Sequence, residues 1–283
     1  MRKVKVVFFL LAFVVIQVYG QEPGVLLSRS GISAADEVSF YAETKQVNQF
    51  IRRFNGEEDV RGVKLATNDP TYHSSDLRKK YLNMLFDHSN SDIPELLKNA
   101  FVNDMVVDRD PKFLDFHGGD WFSEIEVLFQ RGNEMVIFTL FMKLVKENLG
   151  SKWIINDVYS PPYKNLYKPN GTSASRFLHP LSHELDFMNL DKVFDSQEYI
   201  GDYFFQGFQV DKLSIFLYEI RTNKLRFKQV TNVKFHFFQL KNWYMEISEF
   251  NRPGLNKGWL ISNLIRLEDG QKDRIIDFIH HRE

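Results

Sequence analysis

The segment Asp115-Phe116-His117-Gly118-Gly119-Asp120-Trp121 is the densest run of residues able to do chemistry. Imidazole titrates near neutrality, and a neighbouring carboxylate can orient it, so a His among Asp residues can act as general base or acid. In that reading His117 is the base and Asp115 or Asp120 holds its ring. The same residues also read as a polar loop, with glycines making turns and Asp side chains capping backbone N–H groups. Glu124 and Glu126 follow two apart, which puts them on one face of an extended strand. With Trp121 they line a ligand pocket in one reading, and in the other the two glutamates belong to a solvated face. His236 sits opposite the apolar alternates Val233, Phe235 and Phe237, as a solvent-facing side chain or as a buried one with a single partner. Trp153 and Trp259 suit either stacking on a ligand ring or plugging a core, and Tyr159, Tyr163 and Tyr167 form a further set of aromatic contacts.

Other chemistries lack their residues. The histidines at 73, 88, 117, 179, 183 and 236 show no HExxH motif, and His280-His281 are adjacent, so no metal site is expected. There is no G-x-S-x-G motif and no Cys nucleophile, and Gly118-Gly119 lacks the further glycines and the Lys of a phosphate loop. No cofactor is expected.

Periodicity gives the elements that must position these residues. Phe40, Val47, Phe50, Ile51 and Phe54 share a helical face that Asn55-Gly56 ends. Leu77, Tyr81, Leu82 and Leu85 suggest a second helix behind Ser74-Ser75-Asp76. Asp92 and Glu95 fit a capping box with Pro94 in the first turn, leading a helix whose buried stripe is Ile93, Leu96, Leu97, Ala100 and Phe101. After Gly119 the period becomes two. Strands are expected at 121–129, 134–147 and 152–159, joined by Arg131-Gly132-Asn133 and Asn148–Ser151 as a β-meander. Residues 161–180 break the periodicity with Pro, Gly and Ser, as a linker does. Helical patterns resume over 181–205. Strands are expected at 212–220, 225–229, 233–240, 243–250 and 258–267, and a terminal helix turns Ile275, Ile276 and Ile279 inward.

The N-terminus reads as a cleavable signal peptide, residues 1–20. Arg2, Lys3 and Lys5 precede an apolar run from Val6 to Val18, and Val18-Tyr19-Gly20 places small residues at a cut before Gln21. The 13-residue run is short of the ~20 a spanning helix needs. Residues 21–36 read as a flexible leader. About 263 residues remain, enough for two domains, at 37–160 and 181–283. Cysteine is absent, so stability must come from packed cores, for which 27 Phe supply much of the apolar volume. Loss of the first three cations takes the chain from −1 to about −4, which argues against a general nucleic-acid affinity. An Asn170-Gly171-Thr172 sequon lies in the linker and matters only in a host that glycosylates.

The two halves share an ending: residues 150–158, GSKWIINDV, parallel residues 256–264, NKGWLISNL. Each is a turn, a Trp and an aliphatic strand behind a long aromatic strand, which favours duplication. Helices followed by an antiparallel sheet that ends in this hairpin resemble the nuclear transport factor two-like superfamily. The likeness is carried by 121–129, 134–147 and 152–159, and by 243–250 and 258–267. It implies an α+β fold of two similar domains, each with N-terminal helices packed on a curved antiparallel β-meander around an apolar pocket. Some members are isomerases or dehydratases, others bind ligands or partners. The expected function is therefore an exported, periplasmic or secreted, non-enzymatic protein that binds a small ligand or an extracytoplasmic protein. The alternative is an isomerase, dehydratase or hydrolase working through His117 and Asp115 or Asp120. Such sheets often pair, which leaves a homodimer open.

Overall fold

The computed structural model describes residues 46–147, 150–164, 210–254 and 256–282, with Phe194, Ile200, Tyr203 and Phe204 singly. The expected signal peptide and leader (residues 1–36), Phe40, the expected linker beyond Lys164 with Asn170, and nearly all of 181–205 lie outside these residues. The described chain is α+β. Helices α1 (Val47–Asn55), α2 (Ser75–Met84) and α3 (Glu95–Met105) precede strands β1 (Trp121–Arg131), β2 (Glu134–Glu147) and β3 (Gly150–Tyr159). A single turn, α4 (Pro161–Lys164), and helix α5 (Lys212–Arg221) lead to β4 (Leu225–Phe237), β5 (Trp243–Phe250), β6 (Gly258–Arg266) and the terminal helix α6 (Gln271–Ile279). No described helix is long and apolar enough to cross a membrane.

All six strands form one antiparallel sheet in the order β3-β2-β1-β4-β5-β6. Strands β1 and β4 meet at its centre, running from Trp121 opposite Phe237 to Arg131 opposite Leu225, with bulges beside Val127 and Phe129. Period-two side chains give the sheet two faces. On one face α1, α2 and α3 cover β4, β5 and β6. Phe50, Phe54, Leu82, Phe101 and Met105 pack there on Phe237, Trp243, Met245, Ile247 and Ile261, all buried. The helices of residues 47–105 thus lie over the second meander rather than over β1–β3 alone. The hydrophobic periods mark the faces but carry no information about which faces meet. On the same side, α4 and α5 close the rest of β1–β3, where Phe216 and Tyr163 pack on Phe129, Phe138 and Val158. Helix α6 lies on the opposite face, and Ile275, Ile276 and Ile279 pack against Phe122, Phe141, Phe238 and Tyr244.

Several local expectations change. Lys212–Ile220 is helical rather than extended. Leu213, Phe216, Leu217 and Ile220 fit a helix as well as a strand, and the Asp211 carboxylate decides it by accepting the Leu213 N–H. The two strands expected between 225 and 240 are one, β4. Helix α3 begins at Glu95 with Pro94 as its cap and no side-chain cap bond, so the Asp92–Glu95 box does not form. Its buried face runs through Lys98, Phe101, Val102 and Met105, leaving Leu96 84% exposed.

Gly56 ends α1 as expected. It is left-handed (φ 71°), and its N–H donates to the last-turn carbonyls of Arg52 and Arg53. A Cβ there would stand 2.8 Å from Arg78 Cγ. Arg78 cannot yield easily: it is buried, it donates to the carbonyls of Phe54 and Lys112, and burial lowers its pKa to about 10. Gly56→Ala is expected to lower unfolding free energy by about 2 kcal/mol, read from urea midpoints.

Candidate functional site

The loop from Asp115 to Asp120 is built mainly by hydrogen bonds to its own backbone. The Asp115 carboxylate accepts the His117 N–H at 2.8 Å. The Gln239 amide holds the loop, accepting from the Asp115 N–H and donating to the Asp115 and Gly119 carbonyls. At Gly118 a Cβ would come within 3.0 Å of Asp115 Cβ and 3.1 Å of the Gln239 amide, so the absence of a side chain lets this bracket close. Asp120 is left-handed (φ 60°), its carbonyl accepts from Phe238 N–H, and its carboxylate lies 3.2 Å from Lys272 Nζ.

The expected base is not assembled. His117 is exposed, and the partner of its Nδ1 is the Ser151 hydroxyl at 3.0 Å. Asp115 is committed to the backbone and Asp120 to Lys272. Among the described residues, no carboxylate forms an ion pair with the His117 ring. His117→Ala is therefore expected to change unfolding free energy by less than about 0.5 kcal/mol, as exposed substitutions do, and denaturant melts would measure this.

Trp121 points into the core, 4% exposed and stacked on Phe237 at 5.1 Å. Glu126 lies opposite Thr139 and Asn232 in the ladder, apart from any cluster. Glu124 is different. The β1–β4 register sets it diagonally beside His236, and its Oε2 lies 2.9 Å from His236 Nε2. His236 is buried, and its Nδ1 is 2.9 Å from the Tyr244 hydroxyl, which donates to Glu246 at 3.3 Å. Ser262 donates to the other oxygen of Glu246. Sequence reading reached Glu124 and His236 separately; Tyr244 and Glu246 carried no signal beyond their alternate positions on a strand.

Electrostatics hold this cluster together. Burial alone would raise the Glu124 carboxyl, but the hydrogen bond and charge of His236, with Lys234, bring it below its ordinary value. Burial and the adjacent Glu246 carboxylate push the Tyr244 phenol far up, so it stays protonated as a donor. The arrangement is that of a satisfied polar cluster within the sheet.

An opening does exist beside the Gly118–Asp120 loop. It is a cleft of about 280 Å³ between that loop, the end of the sheet and α6, with Phe122, Phe238 and Ile276 among its walls and Lys143, Lys272 and Arg282 around it. His280, also in its lining, stacks on Phe141 at 4.0 Å and bonds Asp157 through Nδ1 at 2.9 Å. Arg282 shares that carboxylate at 2.6 Å. Burial would raise Asp157, but bonds from His280, Arg282 and the Val158 N–H outweigh it and hold the carboxyl well below the usual range. Among the described residues no three His, Asp or Glu side chains gather as metal ligands. In comparisons with known proteins, no family model, no curated protein and no solved structure matches the chain.

Proposed function

We propose that the chain is an exported, non-enzymatic binding protein made of two similar halves resembling the nuclear transport factor two-like superfamily. The observation that carries the non-enzymatic reading is the space between helices and sheet. Where that superfamily would enclose a pocket, Phe54, Phe101, Trp121, Phe237 and Trp243 fill it, and all are buried. A cleft that does stay open, at the Gly118–Asp120 loop, is small beside the ~300–1,000 Å³ of typical ligand sites. Duplication is supported by the strand order, since β1 and β4 meet centrally and Trp153 and Trp259 lie on the two edge strands, both against Phe235. Export is supported by the charged start, the short apolar run and the small residues before Gln21. To test the binding reading, the purified chain is incubated with a small-metabolite pool and the bound fraction identified by mass spectrometry. Recovery of an unaltered compound, displaced by a bulky side chain at Gly119, is expected; conversion of that compound would overturn it.

One observation favours an enzyme. The His280–Asp157 pair at the cleft has the geometry of an oriented imidazole, which His117 lacks. Turnover abolished by His280→Gln with binding retained would establish that alternative.

A further inference from the structure

We infer that the cleft beside the Gly118–Asp120 loop binds a small organic acid, a compact apolar body carrying one carboxylate. The inference rests on the binding-protein reading and names its ligand class. The walls supply the apolar half: Phe122 and Phe238 are buried rings, and Ile276 of α6 closes over them. The charges supply the rest. Three permanent cations surround the cleft, Lys143, Lys272 and Arg282, with Asp120 as the one carboxylate lining it. Two of the three are already matched. Lys272 pairs with Asp120 at 3.2 Å, and Arg282 with Asp157 at 2.6 Å.

Lys143 is the cation left over. It stands exposed on β2, and among the described residues it has no ion-pair partner. One uncompensated positive charge beside an apolar wall suits a monoanion better than a phosphate dianion, which would require breaking one of the existing pairs. The volume of about 280 Å³ admits a single ring and its substituent, not a nucleotide or a sugar chain.

Gly119 provides a way to close the site without disturbing the fold. A Cβ there would meet nothing within 4 Å, in contrast to Gly118. The test uses the full chain and three probes of one shape: benzoate, its neutral isostere benzamide, and phenyl phosphate as the dianion. Calorimetric titration is expected to give benzoate at least about tenfold tighter than benzamide, as for a charge-assisted contact. Phenyl phosphate should be weaker than benzoate. Lys143→Met should remove the preference for benzoate while leaving benzamide unchanged, and Gly119→Phe should abolish binding of all three with an unaltered melting temperature. Benzamide binding as tightly as benzoate, a preference that survives Lys143→Met, or tightest binding of phenyl phosphate would each overturn the organic-acid assignment. If benzamide still binds and Gly119→Phe expels it, the binding-protein reading stands while this inference falls. Absence of binding by all three probes would also overturn the assignment; chemical conversion of a probe would instead overturn the non-enzymatic reading.

Discussion

His236→Leu is expected to destabilise the fold by about 3–5 kcal/mol, the range found when a buried carboxylate is left without its partner. Leucine is close enough in volume that a cavity is not the main cost. The cost comes from what is stranded. Glu124 loses the Nε2 partner that offsets its burial, and the Tyr244 hydroxyl loses Nδ1. The effect should show as a fall in the urea midpoint with little change in slope. Adding Glu124→Gln to His236→Leu should recover part of the loss, since a neutral amide costs less to bury than an unpaired carboxylate. Additive losses from the two substitutions, or a loss below about 1 kcal/mol for His236→Leu, would mean that water reaches these groups and the cluster holds little.

Asp157→Ala is expected to loosen the terminal helix, at about 2–3 kcal/mol for the bonds removed from His280 and Arg282. The backbone amides of α6 should exchange faster with solvent than those of β1 or β4, locating the loss. The same carboxylate should make the unsubstituted protein sensitive to acid. Its pKa is depressed in the fold, as is that of Glu124. A carboxyl depressed on folding stabilises fully above its unfolded pKa of about 4 and loses that contribution as pH falls toward the folded value. Stability should therefore be flat from these two groups above about pH 5 and decline below about pH 4, less steeply in Asp157→Ala. A melting temperature whose acid decline is unchanged by that substitution would remove Asp157 as a cause.

Much of this fold is legible in the residues themselves. The alternation from Trp121 to Phe129, the Gly132 turn and the run from Glu134 to Glu147 define β1 and β2 by period alone, and Gly56 marks the end of α1. Lys212–Ile220 is ambiguous because Leu213, Ile215 and Leu217 keep period two while Leu213, Phe216, Leu217 and Ile220 keep a helical one. A single Asp at 211 breaks the tie. The site was harder to read, because its geometry depends on pairings between distant strands. Nothing local to Glu124 indicates that His236 will be its neighbour, since that requires β1 and β4 to meet in one particular register. His280 and Asp157 are likewise joined only when α6 folds back over the sheet. The Asp115–Asp120 loop stood out because its polar residues are contiguous. Contiguity favours bonds to the local backbone, and there Asp115 and Gln239 are occupied.

The central pairing of β1 with β4 also governs the order in which the chain can become ordered. Trp121 lies against Phe237, and α1 stacks Phe50 on that same Phe237, so the first of the described helices packs on strands made long after it. Such distant contacts carry a large loop-closure cost before any of them is rewarded, which slows folding and makes it cooperative. Ribosomal synthesis would release residues 47–160 with their apolar faces uncovered until β4 and β5 emerge. With this wiring the core between α1 and the sheet can close only after β4 and β5 have been made.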